Sequence, residues 1–456
     1  MENKCASSKT NPLAIQVPPG TVIEGRFLLE TIAMGRYSTV FRVEDILDDR
    51  QKYCLKAEYD RASKVNYLHQ EIAVLHKLAE RKHMARLFYC ERCDPFSFML
   101  ITLFGKSIWI LRQNLPNHLV SPGCAARIAV HTLYQIKQIH EIGFILRDLK
   151  IGDMLVGLHG RATKMVFLVD FGMCRTYIRK ENDGTVAIRP PREKAFIRGV
   201  LSPHSLARFK SIVYLRYCSP RVHKRLDVCR ADDLWSLVYV LIDLTAGLPW
   251  RQMKLEASVA ERKENISMSE LFKNCPENWI QIMEHIQSLS YESRPDYKFI
   301  YDCLQATLVQ LQVSYSDPWD WDLVVRSISN FYANTLIFSG ENVILEANSV
   351  QETEAISRSH SDRTDQELQT DRDECSLNID QSEADKQIND ASQVRNPLKD
   401  IVNILQKSSY RASIIQNNSK SPTVPIQKQS RIIASEYDPA FPTTNPQEFE
   451  NNDIGI

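Results

Sequence analysis

Gly143-Phe-Ile-Leu-Arg-Asp-Leu-Lys150, followed by Asp170-Phe-Gly172, is the stretch on which the reading of this 456-residue chain turns. The first piece ends an apolar run on Arg147, Asp148 and Lys150, and the second places an acid after another short strand-like run. Upstream, Lys56 falls on the third of three consecutive strand-like segments and Glu71 on the helix-like segment that follows. Alone, a strand lysine is ordinary surface and a D-F-G tripeptide an ordinary turn. In this order, and on these elements, the four pieces form one set that chance does not readily assemble.

Outward from that set the chain divides by pattern. Residues 1–21 are a polar, Pro-containing lead-in. From Arg26 the alternation of Phe27–Ile32, Thr39–Val43 and Tyr53–Ala57 predicts strands of an antiparallel sheet, with turn material at Asp45–Arg50. Leu68, Ile72, Leu75 and Leu78 have helical spacing over Tyr67–Leu78, and Arg86–Tyr89 and Ser97–Leu103 read as two more strands. After Gly105 helical signals dominate, at Cys124–Ile142, Asp232–Ala246, Met268–Leu289 and Tyr297–Gln312. The expectation is an α+β, two-lobed architecture over 22–325, with a β-rich lobe at about 22–104 and an α-rich lobe at about 105–325. Residues 326–456, poor in aromatics and rich in Ser, Asn, Gln and Asp, are expected to be a mostly disordered acidic and polar tail, Asn396–Leu405 being one short apolar element within it.

Composition narrows the setting. With 43% hydrophobic and 25% charged residues the chain suits a soluble globular protein, and neither a collagen-like nor a short disulfide framework fits. Eleven cysteines, an odd number, and a start without the apolar core of a signal peptide point to a reducing interior: cytoplasmic, with the nucleus as the alternative. Cys90 and Cys93 lack a second pair at zinc-ligand spacing and read as packing. Leu234–Leu248, the longest apolar run, is interrupted by Asp243 and falls short of the ~20 residues of a membrane span, so it reads as a buried core helix.

The set resembles protein kinases, and within them the casein kinase I group, the tau-tubulin kinases in particular. Further residues carrying the likeness are Glu71–Leu78, Arg189-Pro-Pro-Arg192, Asp232-Asp-Leu-Trp-Ser-Leu237, Leu248-Pro-Trp250, Arg294-Pro-Asp-Tyr297 and Ser316-Asp-Pro-Trp-Asp-Trp321, so it covers roughly 22–325 and not the tail. The resemblance implies a serine/threonine protein kinase fold and activity, with ATP and Mg2+ (Mn2+ as the alternative ion) as cofactors. Phosphoryl transfer asks a protein mainly for positioning and charge neutralisation. Lys56 suits the α- and β-phosphates, with Glu71 fixing its rotamer. By resemblance Asp148 orients or deprotonates the substrate hydroxyl, Lys150 steadies the transferred phosphate, and Asp170 and Asp153 hold the metal. The likeness further implies that Ile32, Gly35 and Val40 cover the nucleotide, that Thr102 and Phe104 flank the adenine, and that Ile101 lies behind it and Leu155 beneath.

Departures from the family pattern keep a second reading open, that of a pseudokinase that binds partners without transferring phosphate. The phosphate-covering loop, Ile32-Ala-Met-Gly-Arg-Tyr-Ser38, retains only the middle glycine, Gly35. Leu146 replaces the histidine of H-R-D, keeping burial while losing a hydrogen bond worth about 0.5–1.5 kcal/mol. Asp153 stands where asparagine is expected, adding negative charge near Asp170 and removing an amide donor. About fourteen extra residues, including Ser202-Pro-His-Ser205, lie between Phe196–Gly199 and Arg216–Ser219.

The formal charge of zero hides two opposed halves. Residues 1–330 hold 45 basic and 36 acidic residues, whereas 331–456 hold 11 basic and 20 acidic. The excess peaks between Arg175 and Arg230, with 14 basic against 4 acidic residues, the segment that by resemblance lines the peptide groove. That density reads as a solvated basic face or as a groove selecting acidic or phosphorylated protein substrates; nucleic acid is a weaker fit for want of interleaved aromatics. Cytoskeletal partners are suggested by the tau-tubulin kinase resemblance alone, and no membrane partner is expected. Residues 341–390, with 14 acidic and 4 basic residues and with Ser357, Ser359, Ser361, Thr364, Thr370, Ser376 and Ser382, offer the chain's own tail as a tethered competitor and autophosphorylation target. A short flexible tether raises the local concentration to about millimolar. Residues 1–330 are therefore expected to phosphorylate an acidic peptide faster than the full chain at low salt, the gap closing at high salt; equal rates under both conditions exclude the tethered competitor.

Overall fold

The computed structural model describes residues 21–23, 27–34, 38–46, 52–59, 67–93, 96–192 and 214–324. The expected tail, the insertion around 200–213 and Gly35 lie outside the described residues.

The first lobe is an antiparallel six-stranded sheet. Strands β1 (Thr21–Ile23), β2 (Phe27–Met34), β3 (Ser38–Asp45), β4 (Lys52–Tyr59), β5 (Leu87–Cys93) and β6 (Phe96–Thr102) are ordered β1-β2-β3-β4-β6-β5. Strand β1 is one more than the alternation predicted: three residues beside the polar lead-in are too few to show a period, and their pairing with Phe27–Leu29 makes them a strand. Thr39, Phe41 and Val43 of β3 are buried in alternation, as a pleat of period two requires, whereas β4 buries Leu55 and Ala57 on one face and Cys54 and Glu58 on the face that meets α1. Helix α1 (Tyr67–Lys77) buries Leu68, Glu71, Val74 and Leu75. Its first turn is anchored by Glu58 of β4, whose carboxylate accepts the Leu68 N–H at 2.9 Å, a negative group at the positive end of a helix.

The second lobe is helical. After α2 (Ile108–Arg112) comes α3 (Pro122–Glu141), fully buried along most of its length. Short strands β7 (Phe144–Ile145), β8 (Met154–Val156), β9 (Val166–Leu168), β10 (Arg175–Thr176), β11 (Ile178–Lys180) and β12 (Val186–Ile188) follow, pairing as β7–β10, β8–β9 and β11–β12. Then come α4 (Pro220–His223), α5 (Arg230–Thr245), α6 (Glu256–Asn265), α7 (Met268–Leu271), α8 (Asn278–Ser288) and α9 (Tyr297–Gln310). The apolar run Leu234–Leu248 is the core helix expected of it, and no helix among the described residues is long and apolar enough to cross a membrane.

The single helix predicted over Met268–Leu289 is instead two, α7 and α8. Asn274 takes φ 66°, which ends a helix readily, and Pro276 lacks an N–H and disfavours helical backbone at Cys275. The apolar spacing survives across the break and so gives no sign of it. Gly143 is required where it stands: its φ is +85°, and a Cβ there would lie 2.2 Å from Ile178 Cδ1, so the turn into β7 packs directly on β11.

The chain's last described stretch straps the start of α3. The Arg127 guanidinium lies 3.9 Å from the centre of the Trp319 ring and donates to the Asp317 and Tyr315 carbonyls at 3.0 and 2.7 Å. Trp319 Nε1 donates to Thr163 O at 2.8 Å, and Asp320 accepts from both the N–H and the hydroxyl of Ser121, the N-cap of α3. Trp319 is buried, so Trp319→Ala is expected to destabilise the protein by about 3–5 kcal/mol in chemical denaturation.

Candidate active site

The two lobes meet at one ammonium group. Lys56 of β4 donates to Glu71 of α1 at 2.6 Å and to Asp170, at the start of the second lobe's D-F-G turn, at 2.9 Å. Register pairs Lys56 with Val40 on β3 and Met99 on β6, so Val40, Lys56 and Ile101 share one face of the sheet. Glu71 is buried, whereas the Asp170 side chain keeps 44% exposure. Burial alone would lower the pKa of Lys56, but Asp170 and Glu71 overcome it and hold the ammonium well above its usual range. Burial pushes the Glu71 carboxyl up, against the pull of Lys56. Asp170 itself sits at φ 69°, a left-handed conformation that Asp tolerates better than most residues.

A second knot of charge lies in the loop between β7 and β8. Lys150 Nζ donates to Asp148 at 2.9 Å and also to Asp153. Burial, together with the nearby charges of Asp170 and Asp148, pushes the Asp153 carboxyl up to about 8 against the opposing pull of Lys150. An asparagine in that place would add no such charge. Four carboxyl groups (Glu71, Asp148, Asp153, Asp170) thus share two ammonium partners (Lys56, Lys150), and a cation bound among them would favour their ionised forms.

The loop is held from below. Asp233 on α5 is buried and accepts the N–H groups of Leu146 at 2.7 Å and Arg147 at 2.8 Å. It also accepts from His140 Nε2 at 2.9 Å, and His140 Nδ1 lies 2.7 Å from the Tyr297 hydroxyl. With its carboxylate so placed, Arg147 adopts φ 72°. Leu146 is buried, as expected of the residue in the histidine's place. Gln135 on α3 fixes the other flank, donating to Val166 O and accepting from Leu168 N at 2.7 Å each on the strand that leads to Asp170. Neither Asp233 nor Gln135 stands out from sequence as a site residue, since each is one of several polar side chains on its helix.

The remaining predicted residues lie on the segment that links the lobes or on the strands β2, β6 and β8. Thr102 ends β6, its hydroxyl accepting the Arg86 N–H at 2.9 Å. Phe104 stacks on Phe167 of β9 with ring centres 4.8 Å apart, so its ring faces the second lobe. Leu155 bridges to Ser107, and Gly105 N donates to Val156 O at 2.8 Å, tying the linking segment to β8. Ile32 lies at the bulge where β2 and β3 shift register and is 49% exposed.

Among the described residues no group of three or more His, Cys, Asp or Glu side chains forms a metal cage. Asp170 and Asp153 offer two carboxylates, and that donor set fits Mg2+, which takes one or two carboxylates with phosphate and water completing its shell.

Beyond Asp170 the segment is latched by Asp227, another residue unremarked in the sequence. Buried itself, it accepts from Arg175 Nη1 at 3.1 Å and from the backbone N–H, Nε and Nη2 of Arg192 at 3.1, 3.2 and 2.6 Å. Cys90 and Cys174 are among the free cysteines.

A protein kinase domain model matches residues 28–308. A putative serine/threonine-protein kinase of Caenorhabditis elegans is 32% identical over 306 residues, covering 66% of this chain and 84% of its own length. A Caenorhabditis elegans protein named as an inactive tau-tubulin kinase is 30% identical over 50% of this chain and 76% of its own, and casein kinase I homolog 3 of Schizosaccharomyces pombe is 26% identical over 64% of each.

Burial would raise the Asp227 carboxyl, but the hydrogen bonds from Arg192 and the charge of Arg175 hold it below its usual range. A depressed folded pKa means that its contribution is present above the unfolded value of about 4 and is lost as pH falls through the folded one. The stability difference between wild type and Asp227→Asn is expected to be about 1.5–3 kcal/mol at neutral pH and to shrink below pH ~4, as read by denaturant titration across pH.

Proposed function

The chain belongs to the protein kinase family, and from that premise we propose that it transfers the γ-phosphate of ATP to serine and threonine side chains of protein substrates, favouring acidic or already phosphorylated sequences. The observation that carries the reading is the meeting of Lys56, Glu71 and Asp170 across the two lobes, beside the Asp148–Lys150–Asp153 knot.

Each residue has a part. Lys56, its rotamer fixed by Glu71, binds the α- and β-phosphates. Val40 and Ile101 on the sheet face and Leu155 below, with Thr102 and Phe104 between the lobes, enclose the adenine, and Ile32 and Gly35 belong to the strand-and-loop cover. Asp148 orients the substrate hydroxyl and takes its proton, and Lys150 steadies the transferred phosphate while neutralising Asp148 and Asp153. Asp170 and Asp153 would hold Mg2+, or Mn2+, which supplies charge neutralisation at the phosphates. A cation bound here would draw the Asp153 carboxyl into its ionised form and gain a charged ligand that an asparagine at 153 does not offer.

The acidic preference is supported by charge. Arg216 and Lys254 line one small depression with Leu215, Trp250, Met253 and Val259, and Arg179 and Lys180, on the segment after Asp170, and Lys224 are exposed. Cytoskeletal substrates and a cytoplasmic setting follow only from the likeness to tau-tubulin kinases and from the cysteine content.

Phosphate incorporation into an acidic serine peptide, measured with Mg2+ and with Mn2+, is expected to fall by about 10²–10⁴ in Asp148→Asn. Equal incorporation by wild type and variant would exclude phosphotransfer and leave a scaffold that binds partners.

A further inference from the structure

Lys263 is a lysine inside the protein. It lies on α6, where it and Val259 are the buried residues, and only 5% of its surface is exposed. Its ammonium donates to the carbonyls of Leu215 at 2.7 Å and Cys218 at 2.5 Å and lies 3.4 Å from His223 Nε2. The rings of Tyr239 and Trp250 flank it, with centres 5.0 and 5.3 Å away. Among the described residues no carboxylate pairs with it. The charge is met by two backbone carbonyls, by neutral side-chain atoms (Cys218 Sγ at 3.8 Å and His223 Nε2) and by aromatic faces, partners that must be well placed if a cation is to be held out of water.

Its position explains the partners. Residues 214–217 are a helical turn, and the carbonyls at such an end have no acceptor role within the helix. Lys263 takes two carbonyls of this stretch, and Trp250 Nε1 takes a third, Arg216 O, at 2.8 Å. A cation also suits the negative end of a helix. The side chains of the same stretch point to two surfaces. Tyr214, Tyr217, Cys218 and Ser219 line the cavity that also contains Asp148, and Arg216 lines the depression shared with Lys254.

We propose that Lys263 is a positioning residue for the protein substrate: its buried ammonium fixes the turn at 214–218 and so sets both the cavity wall beside Asp148 and the direction of Arg216. The inference rests on the kinase reading above and adds to it a residue that touches neither nucleotide nor substrate.

The surroundings make the charge separable from its neighbours. Burial lowers the pKa of Lys263 to about 8. Facing it, Cys218 is pushed up by burial, Tyr239 is pushed well up by burial, and His223 is lowered to about 4 by burial and by the charges of Lys263 and Arg225. Glu256, 3.8 Å from the far side of His223, completes the set. Between pH 7 and about 9 Lys263 is the group of this cluster that changes charge.

Steady-state kinetics with an acidic serine peptide on the full chain test the proposal, with thermal melting alongside. Lys263→Met is expected to raise peptide KM about tenfold while ATP KM stays within about twofold, and Lys263→Arg to restore peptide KM to within about threefold. Wild-type peptide KM should also rise as pH goes from about 7 to about 9, and that rise should be absent in Lys263→Arg; Asp153 titrates in both proteins, so the difference isolates Lys263. Peptide KM unchanged in Lys263→Met, or peptide and ATP KM rising together, overturns the proposal. If Lys263→Met does not fold, identical pH profiles of wild type and Lys263→Arg overturn it. If wild type transfers no phosphate, the kinase reading has failed on its own, and the same variants and pH series are read by fluorescence anisotropy of the labelled peptide, where equal affinities refute the positioning role.

Discussion

The carboxylate of Asp233, buried in the second lobe and surrounded by three donors, is the constraint from which the site is built. Two of those donors are consecutive backbone N–H groups, of Leu146 and Arg147, and the third is the ring of His140. Consecutive N–H groups aim at one acceptor only if the backbone between them turns, and Arg147 accordingly occupies left-handed space. Asp148 is therefore delivered to the surface by a loop whose shape is set one residue earlier, from inside. Such a group is strongly placed because leaving any of its partners unmet would cost about 1–3 kcal/mol.

The same economy of anchors recurs around the site. Gln135 holds the strand before Asp170, Asp227 gathers Arg175 and Arg192 after it, and Lys263 and Trp250 hold the turn at 214–218. In each case a polar side chain from a helix, or from the turn next to one, satisfies irregular backbone or a flexible arginine. Regular elements supply rigidity, and single side chains pass it to segments with a short ladder, such as β9, or with none. The small core of Ile145, Tyr177, Leu215, Cys218, Val222 and Val228 packs these segments against one another.

Periodicity carried most of the fold. The sheet strands and α1, α3, α5 and α9 fall close to where alternation and helical spacing put them, α1 and α9 because each buries one face and α3 and α5 because long runs of their residues are buried on all sides. It was blind to β1, too short to have a period, and to the break at Asn274–Pro276, where both helices face the same core. The charged residues of the site were legible because their types and order are peculiar to one chemistry. Their supports were not. Asp233 stood in a quoted motif without a role, and Lys263, amid Glu261, Arg262 and Glu264, reads as one more solvated charge. What distinguishes it is a partner 45 to 48 positions away, and spacing along the chain contains no trace of that.

The bond between Lys56 and Asp170 bears on turnover as well as on geometry. It joins a strand of one lobe to a turn of the other, so the two halves of the site are drawn together by an internal ion pair. On the kinase reading proposed above, an incoming nucleotide would exchange that contact for its own phosphates, and its apparent affinity would scale with the fraction of molecules in which the pair is open. On departure the exchange would run in reverse, Asp170 reclaiming Lys56 as the spent nucleotide loosens. The pair would then act as a built-in competitor for the product, and the strength of one side-chain contact would help to set how long the used nucleotide lingers.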